Sequence, residues 1–331
     1  MKNKLSRKSF IKNSAFTMLA LPFGFDALFG KISGTDSTSL AAAYNAEPAD
    51  KKITVNIFSK HMQWLNYHDM GHLAAELGFD GIDLTVRAGG HVLPERVTTD
   101  LPAAVSEIGK AGLKVNMITT DIQSGYKHTD SILKTATQLG IKNYRMGWYT
   151  YDSRLDTLSN IEHFKRSFDD LAVKNKDYDI HGDYENHTSF FGASIWDLWL
   201  AIKDLDSRYI GCQFDIRHAT VDGAEAWPVN FNLLKNHIGS LTFKDFIWKK
   251  TNGKWMAENV PLGTGMVDFK RYFALIKKYD MRLPLSLHIE YALGGAENGA
   301  AKLTLPQNEV IKAIKTDLIT LKDWLKEFEL F

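Results

Sequence analysis

Three acidic residues each close an apolar stretch of this chain: Glu185 in "DYENH", Asp215 in "DIRH" and Glu290 in "HIEY". Carboxylates that converge repel one another unless a proton or a cation bridges them. With an imidazole alongside, carboxylate oxygens suit Mn²⁺, Mg²⁺, Co²⁺ or Zn²⁺, and no thiolate pair narrows that choice. His288 lies two residues before Glu290 and shares its side of an extended strand, either as a fourth ligand or as a partner behind the ligands. The expected metal set is therefore Glu185, Asp215, Glu290 and His288, with His218 also within reach, three residues beyond Asp215. Plainer readings stand beside this one. Asp215 can cap a following helix, and Glu290 can pair with a lysine at the rim.

Other polar residues fall at similar places. Lys244 in "TFKD" can hold a substrate oxygen, balance the carboxylates, or form a salt bridge to Asp245. His61, His91 and His187 are loop residues able to touch a polar substrate, as are Arg145 and Trp148 at the end of another strand. Trp64, Trp148, Tyr149, Tyr151 and Trp248 suit the apolar side of a sugar ring, or else pack under a loop. Cys212 is the single cysteine, and "GCQFD" places it in an apolar strand as a small core residue.

The elements that must position these groups alternate strand and helix. "KITVNIFS", "GIDLTV", "KVNMITTDI", "IKNYRMGW", "DIHGDYENH", "YIGCQFDI", "IGSLTFKDF" and "LPLSLHIEY" read as strands, each followed by a helical pattern. Eight such units over about 280 residues predict a (β/α)₈ TIM barrel. A doubly wound sheet needs no eighth unit, and neither "RAGGH" nor "LGGAENG" fits a dinucleotide loop. Catalytic groups of such barrels gather where strands end and helices are approached, which is where the polar residues lie. The opposite strand ends are expected to be plain.

Forty basic residues against thirty-nine acidic ones leave the 331-residue chain nearly neutral, so no global field draws nucleic acid or anionic lipid. The beginning, "MKNKLSRKSFIKNSAFTMLALPFGFDALFG", has a basic region and then an apolar run broken by Pro22 and Gly24. That run is too short and interrupted to span a membrane and reads as an export signal, with "SRKSFIK" similar to a twin-arginine motif. Residues 1–50 are assigned to this signal and a Ser/Thr/Ala-rich linker, and 51–331 to one catalytic barrel. The expected location is the periplasm, with no membrane attachment after signal removal; a homo-oligomer is left open.

From about Lys52 to Glu329 the chain resembles the sugar phosphate isomerase/epimerase family of xylose isomerase-like barrels, which is related to D-tagatose 3-epimerase and endonuclease IV. "FSKHMQWL", "GFDGIDLTVRAGGHVLPE", "DIRHAT", "FKDFIW" and "VPLGTGMVDF" carry the resemblance. It implies a metal held by Glu185, Asp215 and Glu290, with the family's histidine ligand on strand seven replaced by Thr242. It implies that His218 contacts substrate oxygens. It further implies proton abstraction next to a carbonyl, with Glu185 and Glu290 facing each other across the reacting carbon and the metal stabilising an enediolate. Export would favour a non-phosphorylated sugar or ketosugar as the small-molecule substrate. The alternatives are a lyase or dehydratase performing β-elimination on a 3-keto-glycoside, and a noncatalytic sugar-binding barrel. A nuclease like endonuclease IV is disfavoured by the near-zero charge and by Thr242.

Overall fold

A computed structural model describes residues 53–331, so the expected export signal and linker lie outside the described residues. The strands are β1 (Val55–Phe58), β2 (Gly81–Val86), β3 (Lys114–Thr120), β4 (Asn143–Arg145), β5 (His181–Glu185), β6 (Ile210–Asp215), β7 (Ile238–Phe243), β8 (Asp245–Thr251), β9 (Lys254–Val260) and β10 (Leu285–Leu287). Eight of them close a parallel barrel in the order β1-β10-β7-β6-β5-β4-β3-β2. The expected barrel is therefore present, and β10 is its eighth strand. Helices wrap it: α1 (Tyr67–Leu77), α2 (Val97–Lys110), α3 (Thr129–Gln138), α4 (Thr157–Tyr178), α5 (Ile195–Ile202), α6 (Ile216–Gly223), α7 (Trp227–Leu234), α8 (Phe269–Lys278) and α9 (Gln307–Glu327).

The strand "GIDLTV" shows why the sequence folds this way. All six residues are buried, as expected for a parallel strand covered on both faces. Ile82, Leu84 and Val86 alternate with Asp83 and Thr85, so one set meets the helices and the other enters the barrel. Helix α1 starts where Asn66 accepts the Asp69 amide and stops at Gly78, whose φ of 99° favours glycine.

The barrel interior corrects one expectation. The lower strand positions are polar, not plain. Asp83 accepts hydrogen bonds from Thr119 at 2.8 Å and Ser286 at 2.7 Å. Asp183 accepts one from Ser240 at 2.6 Å and meets His181 Nε2 at 2.8 Å. Burial pushes Asp83 up to about 6. Such residues hide in apolar strands because only every second position faces inward.

Two local features add to this frame. The stretch after β6 turns helical at once, forming α6 and then α7, with Pro228 in the first turn of α7. After β7 comes a β-hairpin before the next helix, β8 paired antiparallel with β9. Its turn is Asn252-Gly253, with φ of 51° and 79°, the left-handed pair that a tight hairpin requires. No helix among the described residues is long and apolar enough to cross a membrane.

Candidate active site

The strand ends bring Glu185, Asp215, Lys244 and Glu290 to one place. Lys244 leaves the end of β7 with its side chain 3% exposed. Its Nζ lies 2.9 Å from Asp215 Oδ2, 3.1 Å from Glu290 Oε2 and 3.9 Å from Glu185 Oε1. Two further cations complete the pattern. Arg145 Nη1 is 2.5 Å from Glu185 Oε2, and Lys60 Nζ is 2.5 Å from Glu290 Oε1.

These contacts set the ionisation of the cluster. Burial alone would raise the Glu185 carboxyl, but Arg145 and Lys244 outweigh it and the net shift is downward. Burial likewise opposes ionisation of Glu290, and Lys244 with Lys60 carries it well below the usual range. Burial works against the Lys244 ammonium too. Asp215, Glu290 and Glu185 reverse that and hold it protonated. Asp215 is pushed up by burial, to about 7, against the pull of Lys244.

Asp215 serves two structures at once. Oδ1 accepts the His218 amide at 2.9 Å and caps α6, while Oδ2 faces Lys244. Asn186 fixes the residue from behind, accepting the Asp215 amide at 2.8 Å and donating to its carbonyl at 3.0 Å. His218 therefore sits in the first turn of α6, where its Nδ1 meets Thr188 Oγ1 at 2.8 Å and Arg217 Nη1 at 3.1 Å. Its Nε2 has no hydrogen-bond partner and lies 4.0 Å from Asp215 Oδ2.

Glu185, Asp215 and His288 each offer a ligand atom, all within 4.8 Å of one another. The donor chemistry fits a divalent ion. Two features support the fit: neither His288 nitrogen has a hydrogen-bond partner, and Glu185 Oε1 has none. His288 stacks on Phe58 at 4.4 Å, which fixes its ring, and burial keeps it neutral. Glu290, expected as a ligand, stands outside this trio and is paired with Lys60 and Lys244. Thr242 lies directly beside Asp215 in the β6–β7 register, and its buried hydroxyl also lacks a partner.

The remaining expected residues divide. Arg145 and Trp148 join the site, with the Arg145 guanidinium 4.4 Å over the Trp148 ring. His187 lies between Trp148 and His218, with ring centroids 4.5 Å and 3.9 Å away and its ring tilted to both. His61 has both ring nitrogens engaged by backbone. Nε2 accepts from the Ile289 amide at 2.9 Å, so Nδ1 carries the proton toward the Ala296 carbonyl. His91 is similarly occupied, by Thr85 Oγ1 and the Met62 carbonyl. Tyr149 and Tyr151 are packing residues; the Tyr151 hydroxyl donates to Asp197.

Sequence reasoning allowed Glu290 a lysine partner at the rim without naming Lys60, and it passed over Gln213. Both amide atoms of Gln213 are buried without partners, two residues before Asp215 and on its side of β6. That spacing was the available signal. Beside Lys60 opens a cavity of about 380 Å³ lined by Gln63, Thr85, Arg87, Asp121 and Gly299.

Residues 72–305 match the family model described as the xylose isomerase-like TIM barrel. The chain belongs to that family. No curated protein sequence matches it significantly. Among solved structures, it is similar to the apo form of the 3-keto-D-glucoside 4-epimerase YcjR from E. coli, at 12% identity and a TM-score of 0.61, covering 81% of this chain and 100% of that one. It is also similar to the probable 3-DHS dehydratase AsbF of Bacillus anthracis, at 14% identity and TM-score 0.59, covering 81% and 99%. A third is the IOLI protein with a bound zinc atom, at 14% identity and TM-score 0.60, covering 81% and 97%. At these identities the likeness speaks for the fold.

Proposed function

We propose that this chain is a sugar isomerase or epimerase that moves a proton next to a carbonyl, on a non-phosphorylated sugar or ketosugar met outside the cytoplasm. One observation carries the reading. Glu185 and Glu290 both lie against the Lys244 ammonium, and both are held ionised. Both distances run to the same Nζ, so the two oxygens lie within about 7 Å of each other, near enough to serve one substrate carbon.

In this reading Glu185 removes the proton from the carbon beside the carbonyl. The charge that develops on the carbonyl oxygen meets the preorganised cations of the site, the term that lowers such barriers most. For the return from the other face the ionised Glu290 relays a proton taken from the Lys60 ammonium 2.5 Å away; the proton on Glu185 then passes to solvent, which also reprotonates Lys60. Removal and return on opposite faces invert the centre. Trp148 and His187 wall one side, where the apolar face of a sugar ring would rest. A divalent ion held by Glu185, Asp215 and His288 would supply Lewis-acid stabilisation of the same oxygen.

The likeness of the fold to that of a 3-keto-glucoside epimerase supports the choice of substrate class. The test is solvent deuterium incorporation into a panel of ketoses and 3-keto-glycosides, followed by mass spectrometry. Incorporation at a carbon next to the carbonyl is expected. Its absence across the panel, with or without Mn²⁺, would overturn the assignment, and loss of a substituent in place of exchange would show elimination.

A further inference from the structure

The cluster of Glu185, Asp215 and Glu290 already contains a cation, and it belongs to the chain. Lys244 Nζ contacts Asp215 at 2.9 Å and Glu290 at 3.1 Å, with Glu185 at 3.9 Å. A divalent ion bound to Glu185, Asp215 and His288 would have to share this space with the ammonium.

We infer that Lys244 is the standing cation of this site, occupying the room between the carboxylates and holding divalent metals to weak binding. Charge supports this. The three carboxylates already face three cations, Arg145, Lys60 and Lys244, so the cluster has as many cations as carboxylates before any ion enters. A dication added beside the ammonium would leave two uncompensated positive charges in a medium that screens poorly. An ammonium taken out of water is itself costly unless paired, so its burial here reflects the need of the carboxylates for it.

The strand chemistry points the same way. Thr242 and Lys244 lie two residues apart and share a side of the chain as it leaves β7. Thr242 is flanked in register by Asp215 on β6 and by Ser286 on β10. Its side chain ends at a hydroxyl that touches no partner, so β7 contributes no strong ligand. What β7 does send into the cluster is the lysine. Gly265 and its loop explain why Lys244 is free to do so. The neighbouring Asp245 carboxylate accepts the amides of Phe246, Gly263, Gly265 and Val267, leaving it no call on the ammonium.

The inference rests on the geometry and not on the choice of sugar, so the experiment reads metal binding and not turnover. Isothermal titration with Mn²⁺ and with Zn²⁺ would compare wild type, Lys244→Gln, Lys244→Arg and Thr242→His. The expected result is weak binding by wild type, at least tenfold tighter binding by Lys244→Gln, and weak binding by Lys244→Arg, which keeps the charge. Thr242→His, which adds an imidazole but retains the lysine, is expected to stay within about threefold of wild type. Should Lys244→Gln fold only poorly, a rise in its melting temperature with Mn²⁺ well beyond that of wild type supports the inference. Wild type and Lys244→Gln binding equally tightly would overturn it, as would tight binding by Thr242→His alone.

Discussion

Lys244 Nζ lies 2.9 Å from Asp215 Oδ2, while the other oxygen of the same carboxylate caps helix α6 through the His218 amide at 2.9 Å. One side chain thus ties the start of a helix to the charge balance of the site. The helix cannot fray without releasing the carboxylate, and the carboxylate cannot turn away without uncapping the helix.

Asparagine and alanine at this position should therefore separate the two duties. Asp215→Asn keeps a cap and loses the charge that faces Lys244. Asp215→Ala loses both and should be less stable than Asp215→Asn by about 1 kcal/mol, the usual worth of a cap. Both should lose at least 100-fold in turnover if Asp215 acts in the site. Urea unfolding and a proton-exchange assay, run on the same preparations, read the two effects.

Substitution of the two facing carboxylates should have unequal results. Glu185→Gln removes the base and leaves Arg145 buried without its charged partner, so exchange should fall by 10²–10⁴-fold, the range for a lost general base. Glu290→Gln should instead retain solvent exchange on one epimer while blocking inversion, because the proton can still leave from the Glu185 side. Nuclear magnetic resonance of each epimer in deuterated buffer distinguishes exchange from inversion.

His91 makes a pH prediction. Burial pushes it down to about 4, whereas an exposed histidine titrates near 6.5. Between these values the unfolded chain binds a proton that the folded chain refuses. The stability that His91 contributes is therefore whole above about pH 6.5 and is lost as pH falls through about 4, at no more than about 1.4 kcal/mol per pH unit. Subtracting the urea stability of His91→Gln from that of wild type at pH 7.5, 6 and 5 should show the difference shrinking with acid. A difference that is flat or grows would refute the assignment.

Cys212 is buried on β6, and burial drives its thiol well above the ordinary range. It should not react with a thiol reagent in the native protein and should react fully in denaturant. Rapid labelling of the native protein at pH 8 would contradict its placement.

Much of this was legible in the residues. The eight apolar stretches and their helical successors announce the barrel, because a parallel strand buried on both faces must be apolar along its length. The placement of Glu185, Asp215 and Glu290 at strand ends was legible for the same reason: a charge at the end of such a stretch has nowhere to go but the rim. Asn252-Gly253 also carried its hairpin signal. The polar barrel floor was harder to see, since Asp83 and Asp183 sit singly between residues that face the helices.

Only the tertiary structure decided what each charge pairs with. Lys60 and Lys244 are 184 positions apart by number, yet both contact Glu290, since β1 and β7 flank β10 in the closed barrel. Sequence spacing specifies which side of a strand a residue takes, because the alternation is a local property of the backbone. It does not specify how far a lysine side chain reaches across a barrel, or which of three carboxylates it meets. That depends on strand order, register and the exclusion of water. It is why Lys244 was readable as one of several rim cations and became the centre of the site only once the strands had closed.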